Sequence, residues 1–150
     1  MTATPSQPPV LVSACLAGRR CRHDGRNRTR ADIAALVAAG GAIPVCPEEE
    51  GGLGTPRDRA ELRGGDGAAV LDGRARVVSE RGVDVTPQFL DGAARALAVA
   101  RDAGAVRAIL TARSPSCGHG QVWCEGAVIE GDGVTAALLR REGLEVDACE

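Results

Sequence analysis

Lysine is absent: all 18 basic residues are arginine. A Schiff-base lysine and a P-loop lysine are therefore excluded, and two reaction classes with them. Aromatic rings are almost as scarce, with Phe89, Trp123 and no tyrosine. With a net charge of −2 as well, the chain has neither the basic footprint nor the stacking platform of a dedicated nucleic-acid binder, and no DNA partner is expected. No apolar run approaches the roughly 20 residues of a membrane span, so no membrane partner is expected. The opening MTATPSQPP has no basic start and no apolar stretch, which makes the cytosol the expected compartment and lasting disulfides unexpected. Neither C-x-x-C nor H-x-x-x-H occurs, which disfavours common structural zinc knuckles, and no G-x-G-x-x-G follows a strand.

What is present is a globular composition, 44% hydrophobic and 25% charged. A length of 150 residues suits one core better than two. Residues 1–8, rich in Pro, Thr, Ser and Gln, are expected to form a loose tail ahead of a single domain over 9–150.

Residues 9–14 (PVLVSA) are a short, continuous, β-branched run that suits a buried strand of a parallel sheet, and Cys15 falls at its end. Residues 31–39 place apolar side chains at helical spacing and stop at Gly40-Gly41. Residues 42–45 are a second extended run, closed by Cys46-Pro47. The Gly-, Pro- and charge-rich residues 47–67 predict a long irregular loop, a length that usually signals function. AAVLDG and RARVVS, meeting at Asp72-Gly73, predict a small hairpin. Thr86-Pro87 reads as the N-cap and first residue of a helix that closes at Gly104. Residues 106–111 predict the clearest strand, followed by Arg113-Ser114-Pro115-Ser116-Cys117; a helix over 134–141 and a strand over 144–146 complete the chain.

Strands alternating with helices predict an α/β fold: one Rossmann-like domain with a mostly parallel sheet, helices on both faces and a small hairpin. In such sheets ligands bind just beyond the carboxyl ends of the strands. Cys15, Cys46 and Cys117 all occupy that edge, so thiols distant in sequence are expected to converge. Three thiolates with an open position suit zinc with a further histidine or water, or an iron-sulfur cluster with one free iron; spacing alone leaves both open. Cys21, in an Arg-rich loop, reads equally as a fourth ligand or an exposed thiol. Cys124 reads as a half-buried packing residue, Cys149 as adventitious, and His23 and His119 as solvated loop residues.

Glu48, two positions after Cys46, is a candidate general base, with a solvated acidic run (Glu48, Glu49, Glu50) as the competing reading. Ser114 and Ser116 bracket Pro115, placed either to orient a ligand oxygen and relay a proton or to cap the turn before Cys117.

VLVSACLAG (10–18), RHDG (22–25), PVCPEEEGGLGTPR (44–57), GVDVTPQFLDGA (82–93), RSPSCGHG (113–120) and GDGVTAALLRREGLEV (131–146) together resemble the thiouracil desulfurase family, long catalogued as a domain of unknown function. The resemblance runs in order through nearly the whole chain. It implies a 4Fe-4S cluster held by Cys15, Cys46 and Cys117 with one open iron, and leaves Cys21 outside the ligand set. It implies catalytic roles for Glu48 and Ser114, with Ser116 the less favoured serine, and Ser13, Ser116 and Arg57 are expected on the substrate side. His23, Thr111 and Cys124 depart from the family's usual residues, the first and third in loops expected near the pocket mouth.

The implied reaction is a non-redox desulfuration of a thiolated pyrimidine, of the 2- or 4-thiouracil type, to its oxo form. Glu48 would take a proton from the attacking water, Ser114 would position that water or relay the proton, and sulfur would leave as sulfide. A base, nucleoside or nucleotide is the expected partner, with thiolated RNA less favoured. The rival readings are a non-catalytic iron-sulfur or zinc sensor module, and a small α/β domain without metal.

Overall fold

The four short apolar runs pair side by side, as buried β-branched segments joined by helices must when every connection is a crossover. The structure is a computed structural model that describes residues 8–149. The expected tail lies outside the described residues but for Pro8. In chain order the elements are β1 (Val10–Ser13), a 3₁₀ turn (Ala14–Ala17), α1 (Ala31–Ala38), β2 (Ala42–Val45), α2 (Pro47–Glu50), β3 (Ala60–Arg63) and α3 (Gly67–Leu71). They continue with β4 (Arg76–Ser79), α4 (Thr86–Ala103), β5 (Arg107–Thr111), β6 (Gln121–Cys124), β7 (Ala127–Glu130), α5 (Val134–Arg141) and β8 (Glu145–Cys149).

The first sheet has the order β2-β1-β5-β8, all parallel. Alternation along its strands sends Leu11, Ala108, Leu110 and Val146 to one face, against α4 and α5. Val12 and Ile109 point to the other face, packed with Ile33 of α1. Helices therefore cover both faces, and the register Ser13↔Val45 brings the carboxyl ends of β1 and β2 level.

A second sheet, β4-β3-β6-β7, was legible only as a hairpin, and that hairpin was misplaced. AAVLDG (68–73), expected as its first strand, instead contributes most of α3, because Asp66 caps the turn by accepting from the Ala69 amide at 3.1 Å. The antiparallel partner of β4 is instead β3, drawn from the segment expected to be an irregular loop. That segment also contains α2, which follows Cys46 directly. A further hairpin joins β6 and β7 through Glu125 (φ 49°) and Gly126 (φ 82°), the positive pair that a two-residue turn requires.

Thr86 is not the cap expected of it: α4 begins at Thr86, and its hydroxyl accepts from the Val77 amide at 2.9 Å, tying the helix to β4. Helix α4 spans both sheets, with Ala96, Leu97 and Ala100 in the core of the first and Phe89 and Ala93 in that of the second. Its Gly92 lies against α2 so closely that a Cβ there would stand 1.9 Å from the Pro47 carbonyl oxygen. Backbone contact on α4 thus fixes where the residues after Cys46 sit. Among the described residues no helix is long and apolar enough to cross a membrane.

Candidate active site

Beyond the carboxyl ends of β1, β2 and β5 lies a cavity of about 330 Å³. Its lining includes Cys15, Cys21, Cys46 and Cys117, so the thiols expected to converge do so, joined by one more. All four are buried and free of disulfides. Cys21 is 3% exposed, which rules out the exposed-thiol reading. The loop carrying it folds back over the site because its carbonyl accepts from Arg57 Nη2 at 3.0 Å and from the Cys46 thiol at 3.7 Å.

The thiols differ in their ease of ionisation. A hydrogen bond from Cys21 lowers Cys15 to about 7 against the cost of burial, with help from Thr111 and the nearby Arg22 cation. Cys46 is lowered chiefly by the same Cys21 donor. Cys21 is raised correspondingly, since its proton serves both neighbours. Burial pushes Cys117 up, as does the Glu48 carboxylate, while a hydrogen bond with Ser13 works the other way. A bound cation offsets such costs, because thiolates ligate in the deprotonated form. Buried soft donors from three separate strand ends suit a sulfur-rich iron or zinc group rather than a hard cation.

Glu48, in the first turn of α2, lines the cavity and is the only carboxylate among the described residues that does. Its Oε2 accepts from Arg57 Nη2 at 2.9 Å, between side chains only 18% and 9% exposed. It is therefore separated from its neighbour Glu49, which pairs with Arg19 and Thr55. Arg57 also lines the cavity, yet its guanidinium donates to Glu48, to the Cys21 and Gly54 carbonyls and to Thr55 Oγ1. Ser13 is 3% exposed and accepts from the Thr111 amide at 2.9 Å.

Ser114 faces the cavity and its Oγ accepts from the Cys117 amide at 2.7 Å, so it caps the cysteine turn while keeping its own proton to donate. Ser116 is turned away: it is 1% exposed, absent from the lining, and paired with Thr135 Oγ1 of α5 at 2.8 Å. The same loop is pinned by Asp132, which accepts from His119 at 2.8 Å and Arg140 at 2.7 Å, so His119 is not a solvated bystander.

His23 and Thr111 line the cavity, whereas Cys124 lies in the second core and its thiol faces the Gly65 carbonyl. The residue before it, Trp123, forms an aromatic wall of the cavity with the Arg59 guanidinium 5.5 Å from its ring centroid. Sequence reasoning missed Trp123 because the β6–β7 hairpin that aims it was not anticipated. Arg22, Arg28, Arg59 and Arg113 also line the cavity and add positive charge to it.

Residues 10–150 match the model of the 2-thiouracil desulfurase family. A Bacillus subtilis (strain 168) protein, the uncharacterized protein YbbK, is 44% identical over 140 residues, which are 91% of this chain and 93% of that one. The solved structure of the [4Fe-4S]-dependent thiouracil desulfidase TudS (DUF523Vcz) is 41% identical, covers 95% of this chain and 91% of its own, and superposes with a TM-score of 0.82.

Proposed function

The chain belongs to the 2-thiouracil desulfurase family, and from that premise we propose that it hydrolyses a thiolated pyrimidine of the 2- or 4-thiouracil type to its oxo form and sulfide. The observation that carries the reading is the convergence of buried thiols and one carboxylate on a single cavity at the sheet edge. Cys15, Cys46 and Cys117, one from beyond each of three strands, would hold a 4Fe-4S cluster, in line with the dependence of the TudS relative on one. When bound, the cluster supplies a Lewis-acidic iron suited to a soft thiocarbonyl sulfur.

The remaining steps belong to the chain. Glu48 takes a proton from the attacking water, and Arg57 holds the carboxylate in place. Ser114, fixed by its bond to the Cys117 amide, orients the water with its own proton. One water adds its oxygen to the ring carbon, the C–S bond breaks, and sulfur leaves as sulfide with two protons to neutralise it. No electron is transferred. Trp123 offers a flat wall to the pyrimidine ring.

A cavity of about 330 Å³ suits a base, nucleoside or nucleotide better than an RNA strand, which needs an open groove. The arginines lining the cavity favour forms that carry negative charge. Ser116, paired within the core, has no part in this scheme.

Anaerobic incubation of the iron-loaded protein with 2-thiouracil or 4-thiouracil tests the reading. Sulfide and uracil are expected in equal amounts over many turnovers. Iron-loaded protein that binds the compound and releases neither product would favour the non-catalytic cluster module.

A further inference from the structure

The donors nearest one another at the site are not the three sulfurs assigned to the cluster. Among the described residues, Cys21 Sγ, Cys46 Sγ and a Glu49 carboxylate oxygen all lie within 4.8 Å of one another. We propose that Cys21, Cys46 and Glu49, closed by Cys15, form an alternative, overlapping site for a single soft divalent cation of the zinc class, filled when the cluster is absent.

Spacing distinguishes the two sites. Donors around one tetrahedral zinc, with Zn–S of about 2.3 Å, stand roughly 3.8 Å apart. The Cys21, Cys46 and Glu49 atoms need close by no more than about 1 Å to reach that geometry. Sulfurs on a cubane cluster bind different irons and stand farther apart, and Cys117 lies outside the close group. Cys15 also lies outside that close group and is the proposed fourth donor because it lines the same cavity beside Cys21.

The positions are built rather than accidental. The Cys21 carbonyl is latched by Arg57 at 3.0 Å and faces the Cys46 thiol at 3.7 Å. Glu49 is held by Thr55 Oγ1 at 2.6 Å and by Arg19 at 3.3 Å. Arg19 is more than half exposed and is free to swing away when a cation takes the carboxylate. Each thiol gives up its proton to solvent on binding, with no change of oxidation state. Cys15 and Cys46 belong to both donor sets, so cation and cluster exclude one another, and zinc acts as a competitor of cluster assembly.

The test uses the full chain, freed of cluster and kept reduced, with Co²⁺ as a spectroscopic stand-in for Zn²⁺. Wild type is expected to bind about one Co²⁺ per chain with sulfur-to-cobalt charge-transfer and tetrahedral d–d bands, both abolished by Zn²⁺. Cys21→Ser is expected to weaken Co²⁺ binding by at least about tenfold while still accepting a full cluster. Cys117→Ser is expected to do the reverse. Glu49→Gln, which keeps every thiol, is expected to weaken Co²⁺ binding and spare the cluster. Undiminished Co²⁺ binding by Cys21→Ser would overturn the proposal, as would parallel loss of cation and cluster in that variant. Cluster content and sulfide release are read separately, so failure of the cation site is distinguishable from failure of the proposed activity.

Discussion

Glu48→Gln is expected to lower the rate of sulfide release by about 10² to 10⁴, with iron content unchanged. The amide matches the carboxylate in shape and still accepts from Arg57 Nη2, so the first turn of α2 and the adjoining Cys46 keep their positions. What is lost is the ability to take a proton from water. The measurement is kcat for 2-thiouracil in variant and wild type at matched iron content. Because the defect is in proton removal, kcat falls and substrate binding does not. Wild-type turnover with an intact cluster would remove Glu48 from the mechanism.

Gly92→Ala is expected to destabilise the protein by about 1 to 3 kcal/mol or more, although no residue of the site is altered. Its Cβ would stand 1.9 Å from the Pro47 carbonyl oxygen and 2.8 Å from the carbonyl carbon, both backbone atoms, so α2 has to move as a unit. Moving α2 displaces Glu48 within it and Cys46 just before it, and the loss of activity at permissive temperature therefore exceeds what the fall in stability alone explains. Gly54→Ala is the control, since nothing lies within 4 Å of a Cβ there. Thermal melts separate the two variants, at roughly 2–4 °C per kcal/mol for a domain of this size.

The first sheet was legible because β1, β2 and all but the first residue of β5 read as short, nearly unbroken apolar runs. The cysteine at the end of each run was legible for the same reason, since strand ends of such sheets are where function collects. The second sheet was not. β3 (AELR) alternates apolar and charged residues over only four positions inside a Gly-rich segment, which hides it. α3 (GAAVL) is a short apolar run that periodicity cannot distinguish from a strand, and the adjacent Asp72-Gly73 suggested a hairpin. The Asp66 cap was the available signal that it is helical.

Within the site, residues fixed by their own strand or its first turn were legible: Cys15, Cys46, Glu48, Ser114 and Cys117 all line the cavity. Residues placed by long-range contacts were not. Cys21 is buried because Arg57, 36 positions away, latches its carbonyl. Ser116 turns inward because α5 offers it the Thr135 hydroxyl. Trp123 reaches the cavity through a hairpin in the second sheet, with no local pattern to announce it.

The most direct measurement is the iron and acid-labile sulfide content of anaerobically prepared protein, for wild type beside Cys15→Ser, Cys46→Ser and Cys117→Ser. About four of each per wild-type chain is expected, with loss of the intact cluster in all three variants. A wild-type chain that takes up no iron under reconstitution, or any one of the three variants holding a full cluster at wild-type yield, would contradict a cluster held by these sulfurs.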